Sequence, residues 1–224
     1  MEFETLVKER RSIRGYKPDP VPKEVIEEIV EIAKGAPSSM NTQPWFLHVV
    51  TRAPLDRIRE GNTERMLGGT KVNREILVHD AYKGIHRQRQ IEIAIQLFEA
   101  MGIDRDDKER RQDWVLRGFR QFDAPVSIVL AYDSSLEPAT ISHFDLGAIV
   151  YGLTLAAWTR GLGTVINGQG IMQSDVVREH AKIPDWQTIM TCVAMGYPDE
   201  DFSANKVKSR RTPNDEIISY VGFE

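Results

Sequence analysis

With a single cysteine, Cys192, in 224 residues, the chain can form no intramolecular disulfide framework and no cysteine-rich zinc site. An excess of one charge is also missing. There are 29 Lys+Arg against 33 Asp+Glu, a formal net charge of −4. A general nucleic-acid or polybasic membrane binder would carry a clear cationic surplus, so that class is disfavoured. Long apolar runs are lacking: the stretch from Ile149 to Trp158 reads as too short and too interrupted to span a bilayer. The first sixteen residues, MEFETLVKERRSIRGY, hold no apolar core of the secretory kind, so a cytoplasmic location is expected. Internal repeats and Gly/Ser- or Pro-rich linkers are absent, and residues 1–224 are expected to form one domain. With 41% hydrophobic and 28% charged residues the composition is that of a globular chain rather than a disordered one.

What is present is an alternation of helical and strand-like periodicities, which predicts an α+β fold with a mixed sheet flanked by helices. Phe3, Leu6 and Val7 mark a short first helix, and Pro18 and Pro20 then break the chain. The spacing of Val25, Ile29 and Ile32 predicts a helix over 22–34 with Gly35 as its C′ residue. Strands are expected at 45–51, around 126–130, from 164 to 167 and from 188 to 195. Residues 54–120 are charged and helical in character, with a helix at 91–101 and a solvated charge run at 104–111. Residues 144–160 are apolar on almost every face and dotted with Gly and Ala, the pattern of a helix buried all round in a large core or a subunit interface. Ser174 is expected to N-cap a helix running to 182.

Three stretches could carry chemistry. Basic clusters stand at opposite ends of the chain: Arg10, Arg11 and Arg14, then Lys206, Lys208, Arg210 and Arg211. Guanidinium forks bind phosphate oxygens bidentately, although such clusters are also common as solvated charge. The turn Pro37-Ser38-Ser39-Met40-Asn41-Thr42-Gln43-Pro44-Trp45 is dense in short hydrogen-bonding side chains that suit a polar heteroaromatic edge, and equally suit a helix-to-strand loop. Gly168-Gln169-Gly170 follows a strand and would let backbone approach a flat ligand, yet matches neither GxGxxG nor a P-loop.

In this order the segments resemble the FMN-dependent nitroreductase family: E-R-R-S-I-R-G-Y, A-P-S-S-M-N-T-Q-P-W, F-D-A-P-V, D-L-G-A-I-V-Y-G-L-T-L-A-A-W-T-R-G-L-G-T, A-M-G-Y-P-D and K-S-R-R-T-P. Each motif is loose, but six in order across nearly the whole chain are specific. The resemblance implies a homodimer with two shared FMN sites and a central dimer helix over 144–160. It implies NADH or NADPH as electron donor and a nitroaromatic acceptor, in a ping-pong cycle in which the flavin carries the redox chemistry. By position, Arg10, Arg11, Ser12 and Arg14 would hold the ribityl phosphate with Lys208 and Arg211. Ser38, Ser39 and Asn41 would reach the flavin from the second subunit. Gly168, Gln169 and Gly170 would approach its N5 side, and Arg120 its N1–C2=O edge, where a cation would stabilise the anionic reduced ring. The 54–120 segment would cover the substrate face, making Tyr82, His86 and Arg87 candidate substrate residues.

Other readings keep a place. Within the superfamily, a reductive dehalogenase of the iodotyrosine deiodinase kind or a quinone reductase is an alternative, although no clear Glu, Tyr and Lys set for a zwitterionic substrate is visible. From another class, a non-enzymatic dimer could bind phosphorylated or nucleic-acid ligands through the arginines. Cys192, in an apolar strand run, reads as a small core residue. His79 and His86, seven apart with no third ligand, make a poor metal pair. His48 and His143 read as structural.

Overall fold

The computed structural model describes residues 2–78 and 81–223. Four strands, β1 (Trp45–Thr51), β2 (Val126–Asp133), β3 (Gly163–Asn167) and β4 (Gln187–Gly196), form a sheet in the order β1-β2-β4-β3. Every pairing between them is antiparallel. The α+β class holds, and the mixed character reduces to one parallel bridge, between Ser12 and Thr164. The reason is topological. β2 and β3 run in the same direction, but β4 inserts between them and turns one parallel pairing into two antiparallel ladders.

Both faces of the sheet are covered, so β2 is buried along almost its whole length. On one side Val126, Ile128, Leu130 and Tyr132 pack against α2 (Lys23–Ala33) and α6 (Thr140–Trp158). On the other, Val129 joins Leu55 and Ile58 of α3 (Arg52–Leu67) and Val177 of α7 (Ser174–Ala181). The alternation along β2 therefore serves two cores rather than a core and solvent. α2 buries Ile26, Ile29 and Ala33, and meets α6 where Gly152 lies so close to Ala33 that an added Cβ would sit 3.3 Å from its Cα.

By length and composition α6 is apolar enough to cross a membrane, but half of its most apolar window is buried inside the chain. Leu146, Ile149 and Leu153 fill the core, while Ile141, Phe144 and Tyr151 stay exposed, Phe144 at 80%. α1 (Phe3–Glu9), α4 (Gly84–Ala100), α5 (Lys108–Phe119) and a last turn, α8 (Asn214–Ile217), complete the order.

Gly35 takes the C′ position, directly after the C-cap Lys34, but without the left-handed backbone common there. One local expectation is corrected. Ser174 is the first residue of α7, not its cap: its hydroxyl donates back to Ile171 O, and the distant Asn73 Oδ1 accepts the Ser174 N–H at 2.7 Å. The charge run at 104–111 is mostly exposed, as expected, but its second half is already helical because Asp107 caps α5 by accepting the Arg110 N–H at 3.0 Å.

Candidate functional site

The two basic clusters, almost 200 residues apart in sequence, share one cleft of about 330 Å³. After α1 the chain runs extended through Arg10–Arg14, pinned by the Ser12 bridge to β3. Val207–Arg211 of the C-terminal segment forms the opposite wall, and Ile93 of α4 closes one side. Asn205 holds the walls together. Its Oδ1 accepts the backbone N–H of Arg14 (2.7 Å) and of Gly15 (3.1 Å), and its Nδ2 donates to Gly15 O and Asp199 O, both at 2.8 Å.

The cations of this cleft are not equivalent. Lys208 is paired with Glu9 at 3.1 Å, and Lys8 with Glu4 at 3.6 Å. Arg11 is spent internally: its Nε donates to Asn205 O and its guanidinium lies 5.2 Å from the Trp158 ring centroid. Arg211 donates to Ser209 O and Oγ at the rim. Arg10 and Arg14 have no carboxylate partner among the described residues, and Arg10 Nε is buried without any acceptor. Burial pushes both guanidiniums below their ordinary pKa; Tyr151 offsets this at Arg10 while Arg211 adds to it. Two desolvated, uncompensated cations facing one cavity are costly in isolation and favour an anion with several acceptor oxygens.

Gly168–Gly170 lies elsewhere, at the end of β3. A Cβ on Gly168 would meet nothing within 4 Å, so this backbone is open to a ligand. Gly170 is a glycine for internal reasons: a Cβ there would sit 2.7 Å from Cys192 Sγ and 2.8 Å from Gln121 Cγ. Gln169 turns its side chain onto α5, where Nε2 donates to Val115 O at 3.4 Å. Arg120 leaves α5 at the same place, with its guanidinium held by Asp123 at 3.1 Å and Asp113 at 3.3 Å, so it is a compensated cation.

Ser38, Ser39 and Asn41 stand apart from both, on a short exposed turn. Ser38 Oγ accepts the Gln43 N–H at 3.0 Å, and Asp145 of α6, itself buried, accepts the Ser39 N–H at 3.1 Å. Met40, Asn41 and Gln43 all have left-handed backbone, and Met40 is 96% exposed. The turn is thus tied to α6 and presented outward.

A family model described as "Nitroreductase family" matches residues 7–197. The chain belongs to the nitroreductase family. It is 32% identical to the chloronitrobenzene nitroreductase of Comamonas testosteroni, over 98% of this chain and 96% of that one. In structure it is similar to the FMN- and NADPH-dependent nitroreductase NfnB of Sphigopyxis sp. strain HMH, with a TM-score of 0.93, 27% identity and both chains covered in full. It is likewise similar to the FMN-dependent NfnB of Mycobacterium smegmatis solved in complex with NADPH, with a TM-score of 0.89, 26% identity and 97% of each chain covered.

Within this nitroreductase-family chain, Arg10, Arg11, Ser12, Arg14, Lys208 and Arg211 come together, whereas Arg120 does not join them and the 38–41 turn and 168–170 loop form separate surfaces. Tyr82, His86 and Arg87 lie at the exposed start of α4, Arg87 donating to Gln90 Oε1 at 2.6 Å. His79 lies outside the described residues, and among those described no group of three metal-ligating side chains occurs. Cys192 is fully buried, and burial pushes its thiol up to about 12, consistent with an inert core residue. His48 Nε2 meets Gln187 Oε1 at 2.6 Å, and His143 packs edge-on to Tyr132 at 5.1 Å. Sequence reading missed Asn205, whose signal is an Asn just ahead of a cationic run, and Arg74, a cation whose Nε is buried without an acceptor. It also missed Glu75, which ties the segment after α3 to β4 and α7 by pairing Arg178 at 2.7 Å and accepting the Ile189 N–H at 2.7 Å.

Proposed function

We propose that this nitroreductase-family protein is an FMN-dependent, NAD(P)H-driven reductase of nitroaromatic compounds. The observation that carries this is the pair Arg10 and Arg14, half-buried in one cleft with no carboxylate partner among the described residues. A phosphomonoester dianion supplies the missing charge and acceptor oxygens, so the residues present fit the phosphate of FMN. Bound FMN supplies hydride acceptance from NADH or NADPH and donation to the acceptor, in alternation. The chain's part is binding and orientation. Arg10 and Arg14, with Ser12, Arg211 and the partly committed Arg11 and Lys208, hold the phosphate. The open backbone at Gly168 faces the N5 side, with Gln169 beside it.

The working unit is a homodimer. Support comes from apolar surface that the single chain leaves in water: Ile141, Phe144 and Tyr151 on α6 and Tyr220, Val221 and Phe223 in the C-terminal segment. The strained 38–41 turn, tied to α6 beside that surface, would carry Ser38, Ser39 and Asn41 to the flavin of the second subunit. The 54–120 segment, part of the single domain 1–224, covers the substrate face with Tyr82, His86 and Arg87 nearest the acceptor. Cytoplasmic NAD(P)H is the reductant.

The test is spectroscopic. Protein loaded with FMN bleaches on anaerobic addition of NADPH or NADH and recovers its yellow colour with nitrobenzene. Protein that takes up no FMN, or whose flavin NAD(P)H does not bleach, overturns the proposal.

A further inference from the structure

Three buried or half-buried amides converge on the last turn of α5. Asn167 Nδ2 donates to Gly118 O at 2.7 Å, Asn62 Nδ2 to Phe119 O at 3.1 Å, and Gln169 Nε2 to Val115 O at 3.4 Å. A helix end leaves its last carbonyls without intrahelical partners, and here Asn167 and Asn62 satisfy those of Gly118 and Phe119 instead of water, while Gln169 adds a bond one turn back. Asn62 does more, because the same Nδ2 donates to Gly170 O at 3.0 Å. It bolts the helix end to the loop. The same turn of α5 also reaches the arginine cleft: Arg117 Nη2 donates to Arg14 O at 3.2 Å, with its guanidinium 4.7 Å from the Phe202 ring centroid.

Two features show a junction built for position as well as for stability. Asn62 Oδ1 and Gln121 Oε1 are buried with no partner beside the Gly170 carbonyl. Directly after α5, Gln121, Phe122 and Asp123 are left-handed in succession (φ 57°, 55° and 55°), each at a cost of about 1–2 kcal/mol for a non-glycine residue. Strain and orphaned polar atoms persist where surrounding contacts over-determine a geometry.

We infer that the last turn of α5 is a brace fixing the separation of the arginine cleft from the 168–170 loop, with Asn62 and Arg117 as positioning residues at its two ends. The inference rests on the FMN reading, in which the cleft takes the phosphate and the loop faces N5. The brace then matches the protein to the span between those two ends of the cofactor. Freeing it at Asn62 leaves the phosphate site intact and lets the loop drift, and a misplacement of about 1 Å can slow a reaction a hundredfold.

The experiment uses FMN-loaded full-length protein with Asn62→Leu, which keeps the branched heavy-atom skeleton and removes the amide, and Arg117→Leu. For Asn62→Leu, FMN affinity is expected within about threefold of wild type; in both variants single-turnover flavin bleaching by NADPH slows at least tenfold. The flavin midpoint potential is expected to move by about 30 mV, the two-electron equivalent of a tenfold change in the relative affinity for the two oxidation states. A lowered Tm with unchanged potential and bleaching rate would make these residues merely structural and overturn the inference while leaving the FMN reading intact. If Asn62→Leu does not fold, Arg117→Leu decides by the same two readouts. A wild type that binds no FMN overturns both.

Discussion

Asn205 Oδ1 accepts the backbone N–H of Arg14 at 2.7 Å, joining two segments 191 residues apart in the chain. Through that bond the segment carrying Arg10 and Arg14 is registered against the segment carrying Lys208 and Arg211. Asn205 is 3% exposed and makes four backbone hydrogen bonds. Asn205→Ala leaves buried donors and acceptors unpaired, which costs about 1–3 kcal/mol for each group left without a partner. The expected result is a lower midpoint in urea unfolding together with weaker FMN retention. Unchanged values in both would contradict the role.

Arg10 and Arg14 differ from Arg11 in a way that stability measurements separate. The first two are half-buried with no carboxylate partner among the described residues, so Arg10→Ala and Arg14→Ala relieve an unpaired, partly desolvated charge. The protein without cofactor should be as stable as wild type or more so. Arg11 bonds Asn205 and stacks on Trp158, so Arg11→Ala should destabilise by about 1–2 kcal/mol. Melting curves of the three variants, run with FMN removed, check the ordering.

The four strands, the apolar helix expected at 144–160 and found at Thr140–Trp158, and the two arginine clusters were legible in sequence because each is a local pattern. Periodicity reports burial, and Val126–Leu130 reads as a buried strand wherever its neighbours lie. The insertion of β4 between β2 and β3 is a long-range choice that no window of residues encodes. The same limit applies inside the site. That Arg10 and Arg14 are unpaired, while Arg11, Arg120 and Lys208 are committed, depends on Asn205, Trp158, Asp113 and Glu9, which only folding brings near. Gly170 looked like a ligand-approach glycine, but Cys192 and Gln121 supply the reason for it.

Glu137 carries a pH dependence whose sign is fixed. Its carboxylate accepts from the Tyr132 hydroxyl (2.5 Å) and from the Ala139 N–H (2.9 Å), and these bonds hold its pKa below the usual carboxylate range. A depressed folded pKa stabilises above the unfolded value, about 4.3 for Glu, and that contribution is lost as pH falls through the lower folded value. Tyr132→Phe removes the hydroxyl donor. The Tm gap between wild type and variant should be widest at pH 7 and narrow below about pH 4. Thermal melts from pH 7 to pH 3 show it; a gap constant across that range would refute the linkage.

Phe144, 80% exposed on α6, tests the dimer. A charge buried at a subunit interface without a partner is strongly destabilising, by about 3–5 kcal/mol. Phe144→Asp should shift the protein from dimer to monomer in sedimentation at micromolar concentration and lose flavin with it, because the second subunit would no longer complete the site. A dimer that persists with its FMN would place the interface elsewhere.

Comparing FMN with riboflavin, which differs only in lacking the phosphate, tests most directly whether Arg10 and Arg14 form a phosphate site. Charge-assisted hydrogen bonds contribute about 1.5–3 kcal/mol each, so two such arginines correspond to roughly a hundredfold or more in affinity. Titration calorimetry should show wild-type protein binding FMN at least a hundredfold more tightly than riboflavin, with the preference collapsing in the Arg10→Ala, Arg14→Ala double variant. Equal affinity for the two flavins in the wild type, or a preference that survives the double substitution, would contradict the assignment.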